Sequence, residues 1–330
     1  MSRRYCSVVL TLLVALAVGF AAGCTNGLPD SSTKGAVTLK VASLRGPTTM
    51  GLVSMIADPT AFLGEGIDAS FAVESLADVV TTALVSGEVD IALIPANMAA
   101  ILHARTGGEI QVAAINTLNV LHVVSKGITL NSVADLVGQT VWSIGQSATP
   151  QATLETILAA HGLSEQVAVE YLSDATEVAS RLAGATVGIA ILPEPYATVV
   201  AANDEAIEVG FDLGLAFQMV TGSPVVTGVT VVRTAYAQAH PEIVSQFLVA
   251  STASALATNA TPVMSGELVA AQGITPDAAT AAAAIPRCGI VIITGREAQT
   301  AINDYLTTLH TFNPSLVGGV VPDESFYWSP

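Results

Sequence analysis

GEVDIALIPANMAAIL, residues 87–102, reads as a buried-type strand from Val89 to Ile94, stopped by Pro95 and followed by a helix to about His103. A short, nearly continuous aliphatic run bounded by turn residues belongs to a strand covered on both faces. Proline lacks the N–H that a ladder needs, so the strand ends there. About a hundred residues later the pattern returns. Val187 to Leu192 (VGIAIL) is a second buried run, ended by Pro193 and leading through Glu194-Pro195 into a helix to about Ala202. Tandem arrays repeat every 20–50 residues or so, hence this wide spacing describes two similar α/β lobes instead.

Working outward, Leu39–Leu44 and Asp68–Val73 read as strands, with Arg45-Gly46-Pro47-Thr48-Thr49 as a loop opening a helix to about Ala57. Ala77–Val85 is a helix stopped by Gly87, and Ile110–Ile115 and Val120–Ser125 are further strands. In the second unit Thr140–Ile144 is a strand, and Gly145-Gln146-Ser147-Ala148-Thr149 leads into a helix from Pro150 to about His161. Proline in the first turn after threonine is an ordinary helix start. Val167–Tyr171 is a strand and Thr176–Leu182 a helix. Val225–Arg233 suits a strand crossing back to the first lobe. The tail is helical over Pro241–Thr258, Pro262–Ala271, Pro276–Ala284 and Glu297–Leu309. The expected fold class is α/β: two lobes, each a mainly parallel sheet flanked by helices, joined by two hinge strands. Lobe I would take residues 39–122 and 229–330, and lobe II residues 123–228.

The chain has 330 residues, 51% of them hydrophobic and 12% charged, with a mean hydropathy of +0.61. Such a chain buries large cores, and disorder is excluded. Arg3 and Arg4 precede an apolar run from Val8 to Ala22, the length of a secretory signal and short of the roughly 20 residues a membrane span needs. It ends in Ala21-Ala22-Gly23-Cys24, which resembles the lipobox of bacterial lipoproteins. That resemblance implies a signal peptide over 1–23, diacylglycerol on the Cys24 thiol, and a flexible tether over 24–38. An ordinary signal cut after an alanine is the alternative. Without the signal, nine basic residues face 27 acidic ones, a net charge of -18. A phosphate-backbone reader needs a basic face, so no nucleic acid is expected as partner. Cys6 leaves with the signal and Cys24 is acylated, which leaves Cys288 as a buried small hydrophobe with no disulfide partner.

No catalytic residue, cofactor or metal is expected. The five histidines are scattered without i, i+4 pairing. Gly64-Glu65-Gly66-Ile67-Asp68-Ala69 follows a helix and precedes a strand, the reverse of a dinucleotide fingerprint. Gly145-Gln146-Ser147 is like a nucleophile elbow, but Thr149 replaces its second glycine. What recurs is polarity at strand ends: Thr48/Thr49, Pro95-Ala96-Asn97, Ser147/Thr149 and Pro193-Glu194-Pro195-Tyr196. Each taken alone is an ordinary helix cap. Four at matched places point to a cleft between the lobes, because ligands bind outside the carboxyl ends of strands in open sheets.

Several stretches resemble the solute-binding proteins of ABC importers in the nitrate/sulfonate/taurine/thiamine-precursor superfamily. They are LRGPTTMGLV (44–53), GEVDIALIPANMAAIL (87–102), INTLNVLHVV (115–124), GQTVWSIGQSATPQATLETIL (138–158), GIAILPEPYAT (188–198), TGVTVVR (227–233) and NPSLVGGVVPDESFYW (313–328). The resemblance implies a type II periplasmic-binding-protein fold without enzymatic activity. It also implies capture of a small solute and delivery to a membrane permease driven by an ATPase. Thr48, Thr49 and Asn97 would face the solute from lobe I, and Ser147, Thr149 and Glu194 from lobe II. Asn116 and Thr227 would lie near the hinge strands. The expected protein is a monomer held at the extracytoplasmic face of a bacterial membrane through its lipid. Arg45 is the one cation beside these loops, Glu194 suits an amine or ring N–H, and Trp142, Tyr196 and Phe217 could stack on a ring. The solute is thus a sulfonate-like anion or a pyrimidine-like heterocycle. Two alternatives remain: an enzyme similar to the menaquinone-pathway enzymes that bind naphthoate-like molecules on this fold, and a lipoprotein that only senses its solute.

Overall fold

A computed structural model describes residues 36–330. The signal peptide, Cys24 and the tether up to residue 35 lie outside the described residues. The first strand, β1 (Val37–Leu44), begins two residues before the expected Leu39. It is followed by α1 (Pro47–Met50), α2 (Val53–Ala57), α3 (Pro59–Leu63), β2 (Ile67–Glu74), α4 (Ala77–Ser86), β3 (Ile91–Pro95), α5 (Ala96–Thr106) and β4 (Ile110–Leu118). The chain then enters a second sheet with β5 (Leu121–Lys126), β6 (Thr140–Ser143), α6 (Thr149–Ala160), β7 (Ala168–Tyr171), α7 (Ala175–Gly184), β8 (Gly188–Pro193), α8 (Tyr196–Asn203), β9 (Ile207–Asp212) and α9 (Leu213–Thr221). It returns with β10 (Val226–Arg233), α10 (Thr234–Ala239), α11 (Pro241–Ala260), α12 (Pro262–Ala271), α13 (Ala278–Ala284), β11 (Ile290–Ile293) and α14 (Gly295–Phe312).

Six strands in the order β11-β4-β10-β3-β1-β2 make the first sheet, and five in the order β7-β6-β8-β5-β9 make the second. Each keeps a parallel core, β2-β1-β3 in one and β7-β6-β8 in the other. Antiparallel strands join on the side where the chain changes sheets. The sheets are therefore mixed: a strand entering directly from the other lobe, without a crossover helix, runs against its neighbours. Sheet membership changes between Leu118 and Leu121 and again between Asp212 and Val226. The second return differs from the expected crossing strand. Val226–Arg233 lies wholly in the first sheet, and the short segment Gly222–Val225 after α9 carries the chain across.

The buried strand residues are apolar on both faces because helices cover both. Val229 and Val231 of β10 pack in the same core cluster as Ile302, Tyr305 and Leu306 of α14. Val232 packs with Val244 and Phe247 of α11. The first of these clusters runs on into the second lobe through Val141, Leu154, Ile189 and Phe217. Phe217 of α9 meets Tyr305 of α14 edge-on, with centroids 6.1 Å apart, so the lobes share an apolar seam. Among the described residues no helix is long and apolar enough to cross a membrane.

Candidate functional site: the cleft between the lobes

The carboxyl ends of the central strands converge on the first crossing. Pro95, the last residue of β3, pairs with Gly228, while Pro193, the last of β8, pairs with Leu121. The Glu194 N–H donates to the Val120 carbonyl at 2.9 Å. β1 and β6 run parallel to β3 and β8, so the loops at 45–48 and 144–148 follow the corresponding carboxyl ends of their own sheets. The two crossings are laced together: the Asn119 N–H donates to the Val225 carbonyl at 3.0 Å, and the Val225 N–H to Asn119 Oδ1 at 2.9 Å. Asn119 has φ 48°, a left-handed conformation that asparagine tolerates best among residues with a side chain.

On the lobe I side the two threonines part company. Thr49 is fully buried, bonded to Ser43 Oγ at 2.7 Å and donating to the Leu44 carbonyl. Its hydroxyl fastens the loop to the end of β1 and is spent internally, where the sequence suggested that it faces a solute. Thr48 is half-buried and donates to the same carbonyl at 2.7 Å, leaving its oxygen free to accept. Asn116 is also spent internally: Nδ2 donates to Thr230 Oγ1 at 3.3 Å, and Oδ1 accepts from Thr117 Oγ1 at 2.8 Å. Gly228 permits this packing, since a Cβ there would lie 2.5 Å from Asn116 Oδ1 and 2.8 Å from Thr48 Cγ2. Thr227 Oγ1, by contrast, is buried with no partner. Asn97 sits half-buried in the first turn of α5, whose N-cap, Pro95, offers no side-chain cap.

On the lobe II side α6 also starts uncapped, at Ala148. Ser147 is exposed with φ 58°, and its N–H donates to Gln151 Oε1 at 2.6 Å. Gln151 thus reaches back to hold the loop. Thr149 is half-buried, and its side chain lies beside the Tyr305 phenol. Burial pushes that phenol above its ordinary pKa, with Thr149 working weakly the other way. The Tyr305 hydroxyl has no well-formed partner and is fully buried.

Glu194 departs most from expectation. Its side chain has no exposure. Oε1 accepts from Arg287 Nε at 2.8 Å and Thr198 Oγ1 at 2.9 Å, and Oε2 accepts from the Thr198 N–H at 3.2 Å. A carboxylate so occupied is not available to an amine or ring N–H of a solute. Trp142 and Phe217 are engaged too, the first stacked under Arg181 at 5.0 Å and the second in the core. Tyr196 remains, 43% exposed, lining with Arg45 and the Gly273–Pro276 loop an interlobe cavity of about 440 Å³. A larger cavity, about 770 Å³, lies along the far part of α6 and α14, by Glu155, Tyr171, Thr307 and Phe312. It reaches the end of β7 but is lined by none of the candidate loop residues, so size alone does not locate the site.

Arg287 and Tyr305 were not anticipated. Nothing in IPRCG or in an amphipathic helix marks either residue, because each gains its role from a partner far away in the chain.

The "NMT1/THI5 like" family model matches residues 62–265. An ABC transporter structure from Parabacteroides distasonis is similar at 22% identity, covering 89% of this chain and 99% of its own, with a TM-score of 0.76. The periplasmic aliphatic sulphonate binding protein SsuA of Escherichia coli matches at 15% identity over 89% of this chain and 92% of its own, TM-score 0.71. The alkanesulfonate-binding protein SsuA of Xanthomonas axonopodis pv. citri, bound to MOPS, matches at 18% over 88% and 96%, TM-score 0.60. These likenesses show the two-lobed fold. None of the curated proteins matches the sequence.

Proposed function

The chain belongs to the NMT1/THI5-like family, and from that premise we propose that it is the extracytoplasmic solute-binding subunit of an ABC importer. The solute is a small organic molecule held between the lobes and handed to a membrane permease. The observation that carries this reading is a pair of helix starts without side-chain caps, α5 and α6, each following a parallel strand of its own lobe. Free N–H groups there, with Asn97 and Ser147 beside them, suit an oxygen-bearing group of the solute. Each helix start stabilises a single negative charge by about 0.3–1 kcal/mol, up to about 2 when partly buried. Arg45 adds an exposed cation at the rim, and Tyr196 an exposed ring. The engagement of Glu194 by Arg287 weighs against a cationic solute. A sulfonate-like anion is therefore favoured over a pyrimidine-like heterocycle. Sulfonate is also what two of the structural neighbours are named for.

Placement at the membrane rests on the sequence: a signal over 1–23 and a lipid on Cys24 would tether the domain at the outer face. The test is a thermal-shift screen of alkanesulfonates and aminopyrimidines, with each solute recovered afterwards. A ligand at 100 times its Kd adds about 2.7 kcal/mol to stability. At least one compound should therefore raise the melting temperature by several degrees and be recovered unchanged. Conversion of the compound would replace this reading with an enzymatic one, and a library without any stabilising member would contradict it.

A further inference from the structure

We propose that Arg287 is a positioning residue that sets the angle between the lobes, by pairing across the hinge with Glu194 before any solute arrives. Arg287 belongs to lobe I. It follows α13, and its neighbours Ile285 and Cys288 are buried in a cluster with Met50 and Val53 of α1 and α2. Glu194 belongs to lobe II, immediately after β8. The guanidinium makes two bonds across the gap, Nε to Glu194 Oε1 at 2.8 Å and Nη2 to Thr198 Oγ1 at 2.6 Å. The Arg287 carbonyl also lies 3.3 Å from His122 Nε2 on β5.

The placement of this pair relative to the hinge gives it leverage. The Leu118 N–H donates to the carbonyl of Gly289, two residues after Arg287, at 2.9 Å. The Glu194 N–H donates to the Val120 carbonyl, also at 2.9 Å. The ion pair thus ties together the two sides of Asn119, the residue with the left-handed φ in the first crossing. A dihedral change at Asn119 rotates one partner away from the other. The Glu194 side chain has no exposure, whereas that of Arg287 is 38% exposed. A carboxylate that far from water is costly without a charged partner, so angles that separate the pair are disfavoured. Glu194 serves the solute indirectly, through the shape of the cleft, and Arg287 acts through Glu194.

The experiment uses the protein with no solute added, so its outcome is separate from the identity or existence of a solute. Small-angle X-ray scattering and amide hydrogen exchange are compared for wild type, Arg287→Ala, Arg287→Lys and Glu194→Gln. The Arg287→Ala and Glu194→Gln variants should show a larger radius of gyration. Exchange at the Leu118 and Glu194 amides should be faster by about tenfold, while amides of the lobe cores such as Val41 and Ile191 keep wild-type rates. Arg287→Lys, which keeps the charge but not the fork, should fall between. If Arg287→Ala does not fold, Thr198→Val removes one of the two guanidinium bonds and should shift both readouts the same way by less. Unchanged scattering and hinge exchange would overturn the proposal. So would acceleration of hinge and core amides alike, which marks a general loss of stability.

Discussion

Thr48 and Thr49 stand side by side in one loop, and the fold gives them different work. The hydroxyl of Thr49 is buried against Ser43 and the Leu44 carbonyl, whereas Thr48, half-buried, keeps an oxygen free to accept. Replacing Thr49 by valine keeps the shape and removes two hydrogen bonds in a buried place, at a net cost of about 1–2 kcal/mol. Urea denaturation should register that loss as a lower midpoint at unchanged slope; a midpoint equal to wild type would assign Thr49 to the cleft after all. The sequence marked this loop as polar and placed it at a strand end. Which hydroxyl is spent internally was not legible, because threonine suits a cap, a strand tie and a ligand contact equally well. The same holds for Glu194, whose occupation depends on an arginine 93 residues away.

At the scale of elements, the strong local signals gave the right elements. The paired runs ending in Pro95 and Pro193 are β3 and β8, and the alanine run at 278–284 is α13, as intrinsic propensity favours. β9, α9 and β11 were missed. Ile207–Asp212 mixes acids and glycine with aliphatics, and Ile290–Ile293 is a four-residue strand, so neither carries a clear period. α9 mattered most, because it packs against α6 and β5 and supplies Phe217 to the seam between the lobes. Several turns and helix starts are held by carboxylates. Backbone and hydroxyl donors at Thr280 hold Asp277 below the usual 3.8, the donors at Asn131 and Ser132 do so for Asp135, and Ser173 lowers Glu177. A carboxylate whose folded pKa lies below its unfolded value contributes stability above the unfolded pKa, and that contribution is lost as pH falls through the folded one. Thermal melting should therefore be nearly flat above about pH 5 and fall below about pH 4. A melting temperature that holds steady to about pH 2 would contradict these caps.

At the scale of the whole molecule, two rhyming α/β units a hundred residues or so apart sufficed to foresee two lobes. The seam that joins them was not legible. Phe217 and Tyr305, like Glu194 and Arg287, are remote in sequence and meet only once both lobes are built. The seam and the ion pair limit how the lobes move, while the crossings at Leu118–Leu121 and Asp212–Val226 are where dihedral change can be absorbed. A solute favours the closed arrangement only to the extent that it touches both lobes there. The most direct test is a calorimetric titration of the best-stabilising solute into wild type and two variants, Asn97→Ala in lobe I and Ser147→Ala in lobe II. One-site binding is predicted for the wild type. Each variant should weaken it by about five- to tenfold, the loss of one hydrogen bond, at unchanged urea midpoint. Affinity left at the wild-type value by both substitutions, or reduced only by the one in a single lobe, would contradict a solute gripped from both sides.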